Sequence, residues 1–513
     1  MSSRTPVWLV LWSLALFTTA LLLNTRSNTF PYFYHPDESE KAAQLLTGNW
    51  NFHHPMLMLT TTKLAVDAGH VPLREQSVVE IGRWVSAVFA AAAIVALSLL
   101  AYAWRGWLPG IGCGLALLLH HQVFELSHYL KEDTALLFGV AFTFLIAHLY
   151  WQRPSMALAV ALGVASACAI SGKYVGAFVL AVAVPVLCRA SESDRAMSDG
   201  GLSGREMRAV VAGLALLVTL LVINAPMIMH PGAFSQSFDR ELQLAVHGQS
   251  GTTRSVPHAL YWNIFRDNST PIMWMLLAAF LFGRWHERQS VTLAEWLIIA
   301  FPFIYTLALS FSPKSNDRYF LPATGVLMVL AACGARDAAR LVRRWIPMRW
   351  ALPVLLLALV TDQWPKWQRY DEAFAHDDNK ELFEWVKKNL PPDAIIAKDS
   401  RVQLPSQENS RVAALFGELP QTVHAKKFAA DLGTIRELRK FGVTHIAVSE
   451  SDYGRFFLLG LRPKKENQDE FDRRRSFYKK LLHEGDLLFN RERGTVLYLH
   501  PGLRLYKIPP PEE

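Results

Sequence analysis

The strongest constraint on this chain is a recurrence of long apolar blocks. They fall at 7–23, 85–103, 108–124, 135–151, 155–170, 174–187, 210–229, 271–282, 292–311, 319–333 and 350–360. Blocks of this length with almost no charge cannot be distributed over the core of a water-soluble domain, so they predict a mainly α, polytopic helical membrane domain of about eleven spans. Several are shorter than the roughly 20 residues that a spanning helix needs, and their ends extend into polar flanks, as 108–124 does through His120 and His121. Composition agrees: 51% of the 513 residues are hydrophobic and only 19% are charged. The first block follows Arg4 and runs past Thr18-Thr19-Ala20 without the polar break of a cleaved signal peptide, which predicts a retained first helix.

Basic residues set the orientation. Alternate connections carry Arg105, then Arg153, then Arg189, Arg195, Arg205 and Arg208, then Arg284 and Arg288, then Arg336, Arg340, Arg343, Arg344 and Arg349, which places those connections in the cytoplasm. The segments 30–82, 125–133, 171–173, 230–270, 312–318 and everything after 361 are then on the outer face of a plasma (inner) membrane. The net charge of +8 is accounted for by the cytoplasmic arginines and a basic outer tail and implies no nucleic-acid partner. Cys113, Cys168, Cys188 and Cys333 lie in or beside the apolar blocks without ligand-like spacing, which argues against a disulfide framework and a cysteine-bound metal.

The outer connections hold the chemistry-bearing residues. The richest is 34–55, YHPDESEKAAQLLTGNWNFHHP. Pro36 fixes its own φ and pushes His35 towards an extended conformation, so Asp37 and Glu38 are presented at a turn beside the membrane. A helix follows over 39–47, His53 and His54 add two proton-transfer groups, and 56–66 is amphipathic. The bland account of Asp37 and Glu38 is a solvated helix start. In the next outer turn Glu125, His128, Lys131, Glu132 and Asp133 crowd together; Asp133 suits a helix N-cap, which leaves the other four unexplained. Lys173 occupies a tight turn between two apolar blocks, where snorkelling and a functional ammonium fit the spacing equally well. The stretch 230–270 reads as a long outer loop mixing Phe234, Phe238, Arg240, Glu241, His247, Arg254, His258, Tyr261 and Trp262, a composition shared by functional loops and interfacial helices. Lys314 and Arg318, ahead of Tyr319, place two cations where an anionic lipid headgroup would reach them.

The pattern divides the chain into a transmembrane domain at 1–361 and a soluble, accessory domain of mixed α and β type at 362–513. The second begins with a helix at 378–389 stopped by Pro391-Pro392, continues with strands at 394–397 and 445–449, and ends in a hairpin of 494–499 with 503–508 around Pro501-Gly502.

In combination these motifs resemble the GT-C membrane glycosyltransferases that use polyprenyl-phosphate-linked sugars, the superfamily of the protein O-mannosyltransferases and aminoarabinose transferases. The residues that carry the resemblance are His35-Pro-Asp37-Glu38, Gly48 to Pro55, Lys131-Glu132-Asp133-Thr, Lys173-Tyr174, Glu241 with His247-Gly-Gln-Ser-Gly251, and Asp317-Arg318-Tyr319-Phe-Leu-Pro322. Two departures stand out: Glu132-Asp133 replaces a Pro-Asp, and Gly248-Gln-Ser-Gly replaces a more histidine-rich pattern. The resemblance implies a membrane-embedded enzyme that moves a sugar from a polyprenyl-phosphate donor to a hydroxyl of a glycan, lipid or protein acceptor, with inversion at the anomeric carbon. It implies that Asp37, or next Glu38, deprotonates the acceptor and that Lys131, Lys173, Lys314 and Arg318 bind the donor phosphate. Glu132, Asp133 and Tyr319 join the substrate-binding set, and His35, His53, His54, Glu241 and His247 are further outer-loop candidates.

The residue types fit that chemistry, which needs a base for the acceptor and positive charge for the departing phosphate. His35, Asp37, Glu38, His53 and His54 include metal-ligand types, but no tight motif such as His-Glu-x-x-His occurs, so a required divalent metal is not favoured. Two other classes share some of these features. A flippase of lipid-linked sugars needs polar groups near mid-membrane, and these blocks hold few. A silent scaffold would leave the loop acids without a task.

Overall fold

The computed structural model describes residues 7–189, 204–247, 252–254, 268–312, 317–406, 409–458, 461–492 and 497–508. The chain divides into two compact units: Met1–Asn28, Asp37–His247 and Pro257–Trp367 form the first, and Thr29–Pro36, Gly248–Val256 and Gln368–Glu513 the second.

Unit 1 is helical. It contains α1 (Val7–Asn24), α2 (Pro36–Thr47), α3 (Leu57–Ala68), α4 (Glu75–Arg105), α5 (Trp107–Leu118), α6 (His121–Ser127), α7 (Asp133–Gln152), α8 (Met156–Gly172), α9 (Leu180–Leu187), α10 (Gly204–Ile223), α11 (Ala225–Met229) and α12 (Pro231–His247). The helices Pro271–His286, Leu293–Ser310 and Leu321–Leu341 follow, and the helix Met348–Phe374 begins in this unit and ends in unit 2. The apolar blocks of the sequence fall on helices of this unit, with 108–124, 174–187 and 210–229 each divided between two helical elements. Among the described residues, six segments are long and apolar enough to cross a membrane: Val7–Asn24, Glu75–Arg105, Asp133–Gln152, Gly204–Ile223, Leu293–Ser310 and Arg318–Leu341.

Two expectations need correction here. The block 108–124 is not one continuous helix, because α5 closes with the Leu119 N–H on the carbonyls of Leu115 and Leu117, and His120 is extended with φ −79° and ψ 116°. The break lets the buried His120 imidazole reach the Asn268 carbonyl at 3.3 Å, so a polar ring inside the bundle keeps a partner. The second concerns 230–247, expected as loop, which is the helix α12; Pro231 at its first position lacks only an N–H that would have no partner in the helix. Of the remaining loop, Gly248 to Gly251, His258, Tyr261 and Trp262 lie outside the described residues, as does Lys314.

Close packing sets the geometry at one end of α7 and α8. A Cβ on Gly139 would fall 2.2 Å from the Ala169 nitrogen, and one on Gly172 2.7 Å from the Leu136 nitrogen. Only bare backbone permits this approach, as is common between membrane helices. It brings the C-terminus of α8 against the first turn of α7, and with it Lys173 against Asp133.

Unit 2 holds a five-stranded sheet in the order β3-β2-β4-β7-β6, formed by β2 (Ile395–Lys398), β3 (Thr422–Ala425), β4 (His445–Ser449), β6 (Asp486–Arg491) and β7 (Leu503–Lys507). The strand β2 is parallel to β3 and β4, while β7 is antiparallel to β4 and β6. A separate antiparallel pair joins β1 (Thr252–Arg254) to β5 (Leu461–Pro463). Alternation along β4 gives the sheet two apolar faces: Ile446 and Val448 pack with Tyr478 and Leu481 of the helix Gln468–Glu484, and Ala447 packs with Leu382 and Val386 of the helix Asp378–Asn389. The expected terminal hairpin is corrected, since β7 pairs with β6. Of the expected first strand, 494–496 lie outside the described residues, and Leu497 donates its N–H to the His500 carbonyl at 2.8 Å across a tight turn.

Candidate active site

The helix α2 starts at Pro36, whose missing N–H costs nothing at a first helical position, and the acids of its first turn lie at the positive end of the helix dipole. The two adjacent carboxylates have opposite fates. Glu38 is fully buried: Arg83 clamps it with Nε on Oε1 at 3.0 Å and Nη2 on Oε2 at 2.6 Å, and the Leu130 N–H donates to Oε1 at 2.8 Å. The remaining guanidinium nitrogen of Arg83 donates to the Asn28 carbonyl at 2.7 Å. This carboxylate ties α2 to α4 and to the turn before Lys131, and it has no open face to offer an acceptor.

Asp37 remains 39% exposed. Its Oδ2 pairs with the buried ammonium of Lys131, and Nη1 of Arg318 lies 3.8 Å away. The following residues repeat the arrangement with other partners, Glu132 taking Lys41 from the next turn of α2 and Asp133 taking Lys173. Three consecutive residues, Lys131, Glu132 and Asp133, thus bind two other segments: α2, through Asp37 and Lys41, and the turn after α8, through Lys173. Burial, and then the charge of Arg318, hold the Lys131 amine down to about 8; burial, and then Lys131, hold Lys41 down to about 7. Among the described residues, Glu132 Oε2 and Asp133 Oδ2 are buried oxygens without a hydrogen-bond donor.

A cavity of about 270 Å³ adjoins this cluster, lined by His54, Lys173, Tyr174, Leu309 and Tyr319 and by Phe238, Glu241 and Leu242 of α12. The Lys173 ammonium lies 4.5 Å from the centre of the Tyr319 ring, and the Arg318 guanidinium 5.7 Å from it. His54 Nε2 is 3.9 Å from Glu132 Oε2, and His53 Nδ1 is 3.5 Å from Glu241 Oε1. Between α2 and these histidines the backbone bends sharply, with Gly48 at φ 72° and Phe52 at φ 48°. Glycine adopts that conformation freely, whereas Phe52 does so at a cost, held by burial and by its carbonyl on the Tyr174 hydroxyl at 3.1 Å.

Residues 75–227 match the family described as dolichyl-phosphate-mannose-protein mannosyltransferase. A comparison with curated proteins returns no match. Among solved structures, ArnT from Cupriavidus metallidurans bound to undecaprenyl phosphate is similar with a TM-score of 0.53 at 14% identity, over 98% of this chain and 97% of that one. The apo state of that protein gives 0.52 at 14% identity, over 97% of each chain. The chain is a multi-pass membrane protein with the fold of these ArnT structures. An oligosaccharyltransferase of Archaeoglobus fulgidus in the apo form is also similar, with a TM-score of 0.50 at 11% identity over 87% of this chain and 70% of that one.

Within this fold the sequence candidates separate. Asp37, Lys131, Glu132, Asp133, Lys173 and Arg318 converge, with Tyr319, His54 and Glu241 around the cavity and His53 paired to Glu241. His35 stands apart in unit 2 with its ring 3.9 Å from that of Tyr498, and His247 ends α12 with its side chain exposed. Lys41 and Arg83 were not singled out. A signal existed for each: Lys41 lies one helical turn after Asp37, and Arg83 is a lone cation just ahead of an apolar run.

Proposed function

We propose that this protein transfers a sugar from a polyprenyl-phosphate-linked donor to an acceptor hydroxyl on the outer face of the membrane, inverting the anomeric carbon. The observation that carries this reading is the set of three buried lysines paired with Asp37, Glu132 and Asp133, with Arg318 near Asp37, beside a largely apolar cavity. Taking three ammonium groups and the carboxylates of Glu132 and Asp133 out of water is costly, and hydrophobic packing would serve stability as well. Clustered cations next to an apolar cleft suit a phosphate on a lipid.

Asp37 is the exposed acid of the set and acts as general base, taking the acceptor proton as the hydroxyl attacks the anomeric carbon. Lys131, Lys173 and Arg318 neutralise the phosphate as the bond between the anomeric carbon and the phosphate oxygen breaks. The buried oxygens of Glu132 and Asp133 without donors are suited to accept hydrogen bonds from sugar hydroxyls. Glu38 positions α2 and takes no proton. Support for the donor class comes from the dolichyl-phosphate-mannose family match and from the ArnT structure with undecaprenyl phosphate. Outer-face chemistry is supported by the arginines: Arg105, Arg284, Arg336 and Arg340 gather at the opposite ends of the same helices, as expected of a cytoplasmic side. The C-terminal unit would then be extracytoplasmic in the plasma (inner) membrane.

The test is sugar transfer by the purified full chain from a polyprenyl-phosphate-linked donor. Labelled sugar appearing on an acceptor in the wild type and absent in Asp37→Asn is the expected result. Lipid movement between leaflets without sugar transfer would replace this reading with the flippase.

A further inference from the structure

The chain passes from unit 2 into unit 1 between Pro36 and Asp37, so the residues immediately before the proposed base belong to the C-terminal unit. They are gripped there at four points. The Tyr34 hydroxyl donates to the Asp377 carboxylate, at 3.0 Å from Oδ1 and 2.9 Å from Oδ2. Asp377 is itself fixed, because its Oδ1 caps the helix Asp378–Asn389 by accepting the Lys380 N–H at 3.0 Å. The His35 ring lies 3.9 Å from the Tyr498 ring, Phe30 packs on Phe374 at 5.9 Å, and the Arg411 guanidinium lies 5.5 Å from the centre of the Tyr32 ring. The next residue is a proline, whose locked φ removes one of the two soft torsions between this anchor and Asp37.

We propose that the C-terminal unit positions the Asp37 carboxylate through the covalent chain, with Tyr34, His35, Asp377 and Tyr498 as positioning residues for the transfer step. None of them touches substrate. Burial raises the Tyr34 hydroxyl above its ordinary range and also raises Asp377, so the phenol keeps the proton that makes the bond. The geometry gives unit 2 a task in catalysis. A general base acts over hydrogen-bond distances, and a misplacement of about 1 Å can cost about 10²-fold in rate. Loss of one anchor among four should cost less, about tenfold.

The inference rests on Asp37 being the base, and the experiment keeps the two apart. The full-length protein is assayed as wild type, Tyr34→Phe, Asp377→Asn, Asp377→Ala, Asp37→Asn and Tyr34→Phe with Asp37→Asn. Tyr34→Phe should lower kcat about tenfold while the donor KM stays within about twofold. Asp377→Asn keeps an oxygen for both donors and should retain most turnover, and Asp377→Ala should match Tyr34→Phe. In the Asp37→Asn background, Tyr34→Phe should cost nothing more, because no base remains to be placed. Where Tyr34→Phe fails to accumulate as folded protein, Tyr498→Leu, which removes the ring against His35, takes its place. Unchanged kcat in Tyr34→Phe, or losses that multiply in the double variant, would overturn the positioning role alone. Full turnover in Asp37→Asn would remove the base and this inference with it.

Discussion

The helix Leu321–Leu341 has an ion network at each end, and the two differ in ways that separate function from fold. Its 21 residues rise about 30 Å, roughly the thickness of a bilayer core. At its C-terminal end Asp337 and Glu287 are shared among Arg105, Arg284 and Arg340, with Glu287 39% and Arg340 40% exposed. Planar guanidinium groups bridge two carboxylates at once, and water screens what is left over. Beyond its N-terminal end lysines predominate, each with one main carboxylate, in near-complete burial and beside a cavity. A point-like ammonium that is buried and crowded by other cations shifts its protonation readily, whereas an arginine does not. The first arrangement ties helices together at a wet surface. The second suits the donor phosphate of the proposed reaction.

The comparison can be broken at its most buried link. Glu38→Ala leaves the Arg83 guanidinium buried without a carboxylate and should destabilise unit 1 by about 3–5 kcal/mol, seen as an early thermal transition. Glu287→Ala, at the partly exposed network, should cost about 1 kcal/mol or less. Equal losses at both ends would dissolve the contrast. Next in size is the base, where Asp37→Asn should lower turnover by at least about 10²-fold and leave the melting curve near wild type. Arg318 sharpens the picture further: Arg318→Ala should reduce turnover and donor affinity about tenfold, and Arg318→Lys should recover part of this by keeping charge without the fork. If Arg318 only anchors its loop at the headgroups, Arg318→Lys would equal wild type and Arg318→Ala would leave donor affinity unmoved.

Much of this was readable in the sequence because it is local. Apolar blocks mark the helices, and the charged residues that interrupt outer turns, Asp37, Lys131 to Asp133, Lys173 and Arg318, are the ones that converge. The pairings were not readable. Lys41 joins Glu132 across 91 residues, and on a short amphipathic helix it looks like any solvated lysine. That Lys173 meets Asp133 depends on Gly172 lying bare against Leu136, a contact that no local pattern encodes. The different roles of Asp37 and Glu38 follow from helix rotation against α4, which buries one neighbour under Arg83 and leaves the other open. In unit 2 the ladder of β7 with β6 was missed because the nearer segment around Leu497 offered an equally apolar partner, and turn geometry decided between them.

The smallest effect is also the most direct test of the cluster. Burial and neighbouring cations hold Lys131 down to about 8 and Lys41 down to about 7, so at pH 8.5 neither amine is fully protonated. A bound phosphate favours the charged form and must raise both values, so donor binding takes up protons at that pH, and turnover should decline as pH rises through about 8. Calorimetric titration of polyprenyl phosphate into the full chain at pH 8.5, in two buffers of different ionisation enthalpy, measures that uptake. Binding with net proton uptake, reduced in Lys131→Met, is the expected result. Binding with no uptake, or with proton release, would contradict a buried lysine cluster as the seat of the phosphate.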